Sequence, residues 1–335
     1  MPELEMFDLG DVVLQSGAIL PNARLAYRTY GTLSASRDNV VVLPTFFGGD
    51  HLDNEIMMAP GRAIDPERYF IVVPNMFGNG RSSSPSNTPP PLDRAAFPCV
   101  TLYDNVVCQH RLITERFEVT RIRLVAGFSM GAQQAFHWGA LFPDMVRAIA
   151  PICGSAKTSP HNLVFLEGIK AALTADAAFA GGWYDSPPLK GLDAFGRVYA
   201  GWVYSQDFYR DAEYRALGLG SIDDVLRMSE TRYRSRDAND LLAMLWTWQH
   251  ADISANDTYR GDLRRALGGI SARAIVMPGT TDLYFRVRDN ELEVPYMRDA
   301  ELRPIPSTWG HAAGRGTNPV DNAFIDTALR QLLEQ

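Results

Sequence analysis

With 335 residues, 46% hydrophobic and 21% charged, the chain has the apolar content for a substantial core, as one large α/β domain with an insertion or as two modest domains. A net charge of −7 without any basic run speaks against nucleic acid as a partner. The acidic start MPELEMFDLGDVV has no secretory-signal pattern, no apolar run nears the roughly 18 residues that span a bilayer, and three cysteines without a CxxC pair read as reduced, mostly buried thiols, so a cytoplasmic protein with no membrane partner is expected.

The first third alternates strand and turn. ARLAYRTYG reads as a strand, VVVLPTFFGGD as a buried strand ending in a glycine loop, and residues 69–73 as another buried strand before a loop rich in Gly, Ser and Pro. TLYDNVVCQHRLITERF carries helical spacing, residues 121–126 form the next strand, a helix runs on to LFPD, and VRAIAPICGSA is a strand again. From 159 to 269 the pattern turns wholly helical, which is far more than the dozen or so residues a crossover needs. Strand and helix resume with ARAIVMPGTTD, AELRPIPSTWGH and the closing helix NPVDNAFIDTALRQLLEQ. The expectation is an α/β core of residues 1–158 and 270–335, a mostly parallel sheet with helices on both faces, and a helical lid over 159–269. The lid is rich in aromatics, among them Phe195, Tyr199, Tyr204, Phe208 and Trp248. Some of these are expected to pack helices and others to line an apolar acyl pocket.

The chemistry centres on LVAGFSMGAQQA. An apolar strand breaks into Gly127-x-Ser129-x-Gly131 and restarts as a helix, a turn so tight that only small neighbours let the backbones pass. Ser129 is thereby lifted above the sheet edge at a helix N-terminus, which favours developing negative charge. A serine hydroxyl needs a base. Of six histidines, His311 in STWGHAAGRG follows the last predicted strand, at the same sheet edge; His110 and His137 fall in helical pattern, and His51 and His161 in loops near strand ends. Asp282 lies just past the buried strand of VMPGTTDLYF and is assigned as the carboxylate that orients the base, whereas surface roles are expected for Asp104, Asp252 and Asp289. The order serine, aspartate, histidine belongs to the α/β-hydrolase arrangement. The oxyanion hole is expected from the backbone N–H of Met130 and of Phe46, with Phe47 beside it and the glycines of FFGGD, Gly48 first, letting the backbone approach the substrate. DHLDNE holds one histidine and no partner cluster, so no metal site is expected.

On GRAIDPERYFIVVPNMFG, FPCVTLYDNV, GFSMGAQQAFHWGALFPDMVRAIAPICGSA, RSRDANDLLAML and PGTTDLYF the chain resembles the homoserine O-acetyltransferase family of α/β hydrolases. The resemblance implies Ser129, Asp282 and His311 as a triad, ping-pong acyl transfer through an acyl-serine, and a lid used to form a homodimer. Two stretches depart from the family pattern. Ala312 stands where an aspartate usually holds the substrate amine, and GRSSSPS, residues 80–86, replaces GSTGP. Without a carboxylate beside His311, homoserine's ammonium loses its partner, at a cost of several kcal/mol when buried. A hydrolase of small esters, amides or thioesters, with water as acceptor and no cofactor, is therefore the leading expectation. A homoserine-type acyltransferase taking an acyl-CoA co-substrate is the alternative.

Overall fold

The computed structural model describes residues 3–334. The chain opens with an antiparallel hairpin, Glu5–Val13 (β1) and Ile19–Tyr30 (β2). The first of these is not among the predicted strands. Its residues stay largely exposed, and its one partner is found only after the chain has turned back, so local patterning is weak. The short apolar runs then pair in parallel: Val40–Val42 (β3), Phe70–Pro74 (β4), Leu124–Phe128 (β5), Ala148–Ile152 (β6), Arg273–Val276 (β7) and Ala300–Leu302 (β8). The order across the eight-stranded sheet is β1-β2-β4-β3-β5-β6-β7-β8, with β2 antiparallel to β4, so β5 lies near the centre.

Alternate residues of these strands enter two separate cores. Val41, Leu124, Ala126 and Ile275 pack into one, and Val40, Val42, Val125 and Val276 into the other. This is the two-sided burial that a parallel sheet requires. Helices Leu102–Arg111 (α1) and Met130–Leu141 (α2) cover the second face through Val106, Cys108, Phe136 and Trp138. Thr101 starts α1 with a capping box: its hydroxyl accepts the Asp104 N–H at 3.2 Å, and Asp104 accepts the Thr101 N–H at 2.8 Å. The other Asp104 oxygen accepts the Gln15 N–H at 2.7 Å. Asp104 is thus buried and bonded to the turn between β1 and β2, where a surface carboxylate was expected.

The insertion contains Pro160–Thr174 (α3), Leu189–Val203 (α4), Gln206–Arg210 (α5), Ile222–Arg234 (α6) and Ala238–Gln249 (α7). Its two ends are bonded side by side. Thr158 N–H donates to Ala251 O at 2.9 Å, Ile253 N–H to Ala156 O at 3.1 Å, and Lys157 pairs with Asp252 at 2.8 Å. Beyond that neck, Tyr259 donates to Ala140 O and the helix Leu263–Gly269 (α8) packs Ala266 and Leu267 beside α2. We therefore place the lid over α3–α7 and assign the stretch after Ala251, sequence-adjacent to the lid, to the core. The short helix Val287–Glu293 (α9) follows β7, and Pro319–Leu333 (α10) closes the first face through Ile325, Ala328 and Leu329. No helix among the described residues is long and apolar enough to cross a membrane.

Candidate active site

Ser129 sits between β5 and α2 with φ 59° and ψ −123°, a conformation that a non-glycine residue adopts only when its surroundings enforce it. Space around it is rationed by glycine. A Cβ on Gly127 would fall 2.3 Å from the Gly131 backbone, and one on Gly131 would fall 2.6 Å from Pro44 O. Ser129 N–H is held by Ile152 O at 2.9 Å, while Ser129 O accepts the Ala132 and Gln133 N–H groups. The side chain is left to one partner: His311 Nε2 lies 3.0 Å from Ser129 Oγ.

On the other side of the imidazole, His311 Nδ1 lies 2.7 Å from Asp282 Oδ2. Asp282 Oδ1 accepts the Tyr284 and Phe285 N–H groups at 2.7 and 3.2 Å, which fixes the carboxylate plane. All three side chains are buried. Phe128, Tyr284 and Phe285 pack around the ring at centroid distances of 4.6, 4.7 and 5.7 Å. The histidine loop is braced from beneath, with the Thr281 hydroxyl accepting the Gly310 N–H at 3.0 Å and donating to Ser307 O at 2.8 Å. It is braced from the lid as well, where Ser205 donates to Thr308 O. Neither threonine nor Ser205 was marked in the sequence, since each contacts the loop only after the fold is made.

The Met130 N–H opens α2 and, like the Phe46 N–H, has no acceptor among the described residues. The loop carrying Phe46 is rigidly held. Asn54 donates to Leu43 O and Pro44 O at 2.9 and 3.1 Å, and Gln134 donates to Thr45 O at 2.8 Å. Ser129 and His311 open into a cavity of about 160 Å³, walled by Phe46, Phe47, Phe128, Tyr199 and Tyr204 among others. Of the lid aromatics, Tyr199 and Tyr204 line it, whereas Phe195, Phe208 and Trp248 are packing residues.

Several sequence expectations land elsewhere. Ala312 does not line the cavity; it is 1% exposed inside the 3-10 turn Gly310–Gly314, where each step rotates the next side chain by a third of a turn away from the imidazole. Gly48 is not a lining residue either, and its carbonyl accepts from Arg232 at 3.3 Å. Residues 80–86 stay outside the cavity, with Arg81 paired to Asp50 and Ser86 bonded to Asp240. His161 lies in the first turn of α3 against Trp202 rather than in a loop, and His51 packs against Asn75. Sequence reading also missed Arg232 and Arg315, both of which line the cavity.

Cys153, Asp282 and His311 bring their ligand-type atoms within 4.8 Å of one another. Asp282 and His311 are engaged with each other, and burial pushes the Cys153 thiol well above its ordinary pKa. The two other cysteines differ in burial: Cys108 is enclosed and Cys99 exposed. In DHLDNE, Asp50 pairs with Arg81 and Asp53 with Arg232 and Arg236.

This strand-turn-helix serine, with Asp282 and His311 on the loops after β7 and β8, is the arrangement of the α/β-hydrolase fold, and that family matches residues 38–291. The chain is 37% identical to an ethyl acetate hydrolase of Pseudomonas veronii, over 98% of this chain and 95% of the relative. It superposes on the solved structure of an acetylester hydrolase from Corynebacterium glutamicum with a TM-score of 0.97, at 36% identity and covering 99% and 96% of the two chains. A homoserine O-acetyltransferase of Chlorobium chlorochromatii is 29% identical over 90% of this chain and 88% of its own length. The chain belongs to the alpha/beta hydrolase family. Within it, it is an enzyme of the serine acyl hydrolase type.

Proposed function

We propose that the protein hydrolyses short-chain carboxylic esters, acetates foremost, with Ser129 as nucleophile, His311 as base and then acid, and Asp282 as the orienting carboxylate. The observation that carries this reading is the unbroken line from Asp282 through His311 to Ser129 Oγ, opening into one small aromatic cavity. Ser129 Oγ attacks the carbonyl carbon as its proton passes to His311 Nε2. The displaced electron pair settles on the carbonyl oxygen, which faces the Met130 and Phe46 N–H groups. Collapse breaks the bond to the alkoxide, which takes the proton from Nε2 and leaves as the alcohol. Water then enters by the same route and releases the acid, regenerating Ser129.

Size and charge support both halves of this reading. A cavity of about 150 Å³ holds one benzene in an engineered protein, so about 160 Å³ suits a small ester and leaves no room for a long acyl chain. Ethyl acetate is a small ester, and two of the relatives named above are by name an ethyl acetate hydrolase and an acetylester hydrolase. Among the described residues the cavity wall holds no carboxylate to receive homoserine's ammonium, which favours water as acceptor. Incubation with acetyl-CoA, with and without homoserine, and with phenyl acetate tests this. Turnover of phenyl acetate with an acyl group trapped on Ser129 is expected, and CoA release that depends on homoserine would overturn it.

A cytoplasmic homodimer joined through the lid belongs to the same proposal. Its support is the set of exposed apolar side chains on the lid helices, including Leu163, Val164, Leu189, Val198 and Ile222. Light scattering of the purified protein should give twice the chain mass, and Val198→Asp should halve it; a monomer in both cases refutes the dimer.

A further inference from the structure

The cavity above Ser129 is aromatic, but it is not neutral. Two guanidinium groups line it, from Arg232 on α6 and from Arg315, which closes the 3-10 turn that carries His311. Arg232 is spoken for: it lies 3.5 Å from Asp53 and donates to Gly48 O at 3.3 Å. Asp53 is shared with Arg236 at 3.8 Å, so one carboxylate already answers to two cations. Arg315 has neither an ion pair nor a side-chain hydrogen bond among the described residues; only its backbone N–H is used, by Ala312 O. Arg315 is half-buried, and its guanidinium leaves five donors at the cavity wall without a protein acceptor among the described residues. Burial, and then the neighbouring Arg232, hold its pKa below the ordinary arginine value, as a surplus of positive charge requires.

From this we infer that the pocket is built for short esters carrying one carboxylate, with Arg315 as the residue that receives it. The inference rests on the ester hydrolase reading and narrows its substrate class. A guanidinium offers a carboxylate two parallel N–H donors, a planar fit that few other side chains can give. Arg315 follows His311 by a single turn, so an anion held there sits beside the imidazole that serves the leaving oxygen. The aromatic remainder of the wall, Phe47, Tyr199 and Tyr204, is left for the apolar part of the substrate.

The test compares kcat/KM for four esters: phenyl acetate and ethyl acetate as neutral references, acetoxyacetate with the carboxylate in the alcohol half, and monoethyl malonate with it in the acyl half. At least one anionic ester should be preferred over ethyl acetate by the wild type. The ratio of that anionic ester to ethyl acetate should fall about ten- to a hundredfold in Arg315→Met, with Arg315→Lys between the two. The two anionic esters report which half of the substrate reaches Arg315. Should Arg315→Met fail to fold, inhibition of the wild type by propanoate against 1-propanol gives the same answer, and the carboxylate is expected to compete at least tenfold more tightly. Phenyl acetate turnover with no preference for either anionic ester, or an unchanged ratio in a folded Arg315→Met, overturns this inference and leaves the hydrolase reading standing. Absence of turnover on all four esters would instead count against the hydrolase reading itself.

Discussion

Replacing Asp282 by asparagine should remove almost all activity while leaving the fold intact, and the structure says why. The Asp282 Oδ1 atom accepts two backbone N–H groups, from Tyr284 and Phe285. An asparagine must place its carbonyl oxygen there, because turning its NH₂ toward two donors would strand all of them in a buried site. The NH₂ is then forced toward His311 Nδ1, at the 2.7 Å position now held by Oδ2. That nitrogen has to accept, the ring proton moves to Nε2, and Nε2 can no longer take the proton of Ser129. In a serine protease the same exchange of the triad aspartate lowers kcat by about 10⁴, which is about 5.4 kcal/mol of barrier. A similar loss is expected here, measured as kcat on phenyl acetate with circular dichroism to check folding. Because the amide imposes the wrong tautomer, Asp282→Asn should be no more active than Asp282→Ala despite filling the site better. A loss below tenfold, or an asparagine variant clearly faster than the alanine one, would refute the tautomer argument.

Ser129→Ala should abolish turnover and acyl trapping at little cost in thermal stability, since Ser129 Oγ bonds only to His311; residual activity above about a thousandth would move the nucleophile elsewhere. Gly131→Ala should lower kcat at least a hundredfold, because the added Cβ presses on Pro44 O and displaces the Phe46 loop from the oxyanion position; near-normal kcat would refute that placement. Glu293 is buried, accepting the Ala156 N–H at 2.9 Å and the Asn290 amide at 2.9 Å, and burial raises its pKa to about 8 from an ordinary 4.5. Its folded pKa is the higher, so its contribution is full below 4.5 and is lost as the pH rises through 8. The melting temperature of wild type relative to Glu293→Gln should therefore fall between pH 5 and pH 9, and a constant difference would refute it.

The serine, the aspartate and the histidine were legible because each is announced locally, by an apolar run that ends and a glycine- or polar-rich turn that follows. Chain order then did the rest, since parallel strands put their carboxyl ends on one edge and the order serine, aspartate, histidine is that of the α/β hydrolases. What was not legible depends on contacts across the sequence. The strand Glu5–Val13 is stabilised by its pairing with residues 19–30, and its own side chains stay largely in water. Asp104 looks like a surface helix residue until Gln15 is folded against it from the hairpin. Ala312 was expected beside the substrate on family pattern, yet the tight turn after His311 buries it and delivers Arg315 to the cavity in its place. Nothing in AGRG marks that arginine, because the lack of a partner is a property of the folded neighbourhood. The lid aromatics were read as a mixture, but which ring packs and which lines the cavity is decided by helix rotation against neighbours more than 30 residues away, as with Phe165 against Trp202 and Tyr199 against Tyr233.

The paired neck of the lid has a consequence for how such a molecule changes over time. The insertion leaves and re-enters the core at two segments bonded to each other, so the core meets the same two endpoints whatever length of chain is hung between them. The lid's share of the cavity wall, Tyr199 and Tyr204 among it, is thereby an interchangeable cassette, while Phe46, Phe47 and Arg315 stay with the core. Two attachments limit that freedom. Ser205 holds the loop of His311 from within the cassette, and Arg232 holds the carbonyl of Gly48. A transplanted lid from a relative should change the fit for the apolar part of the substrate and leave the preference set by Arg315 in place, and it should work at speed only when it also carries groups that reach those two loops.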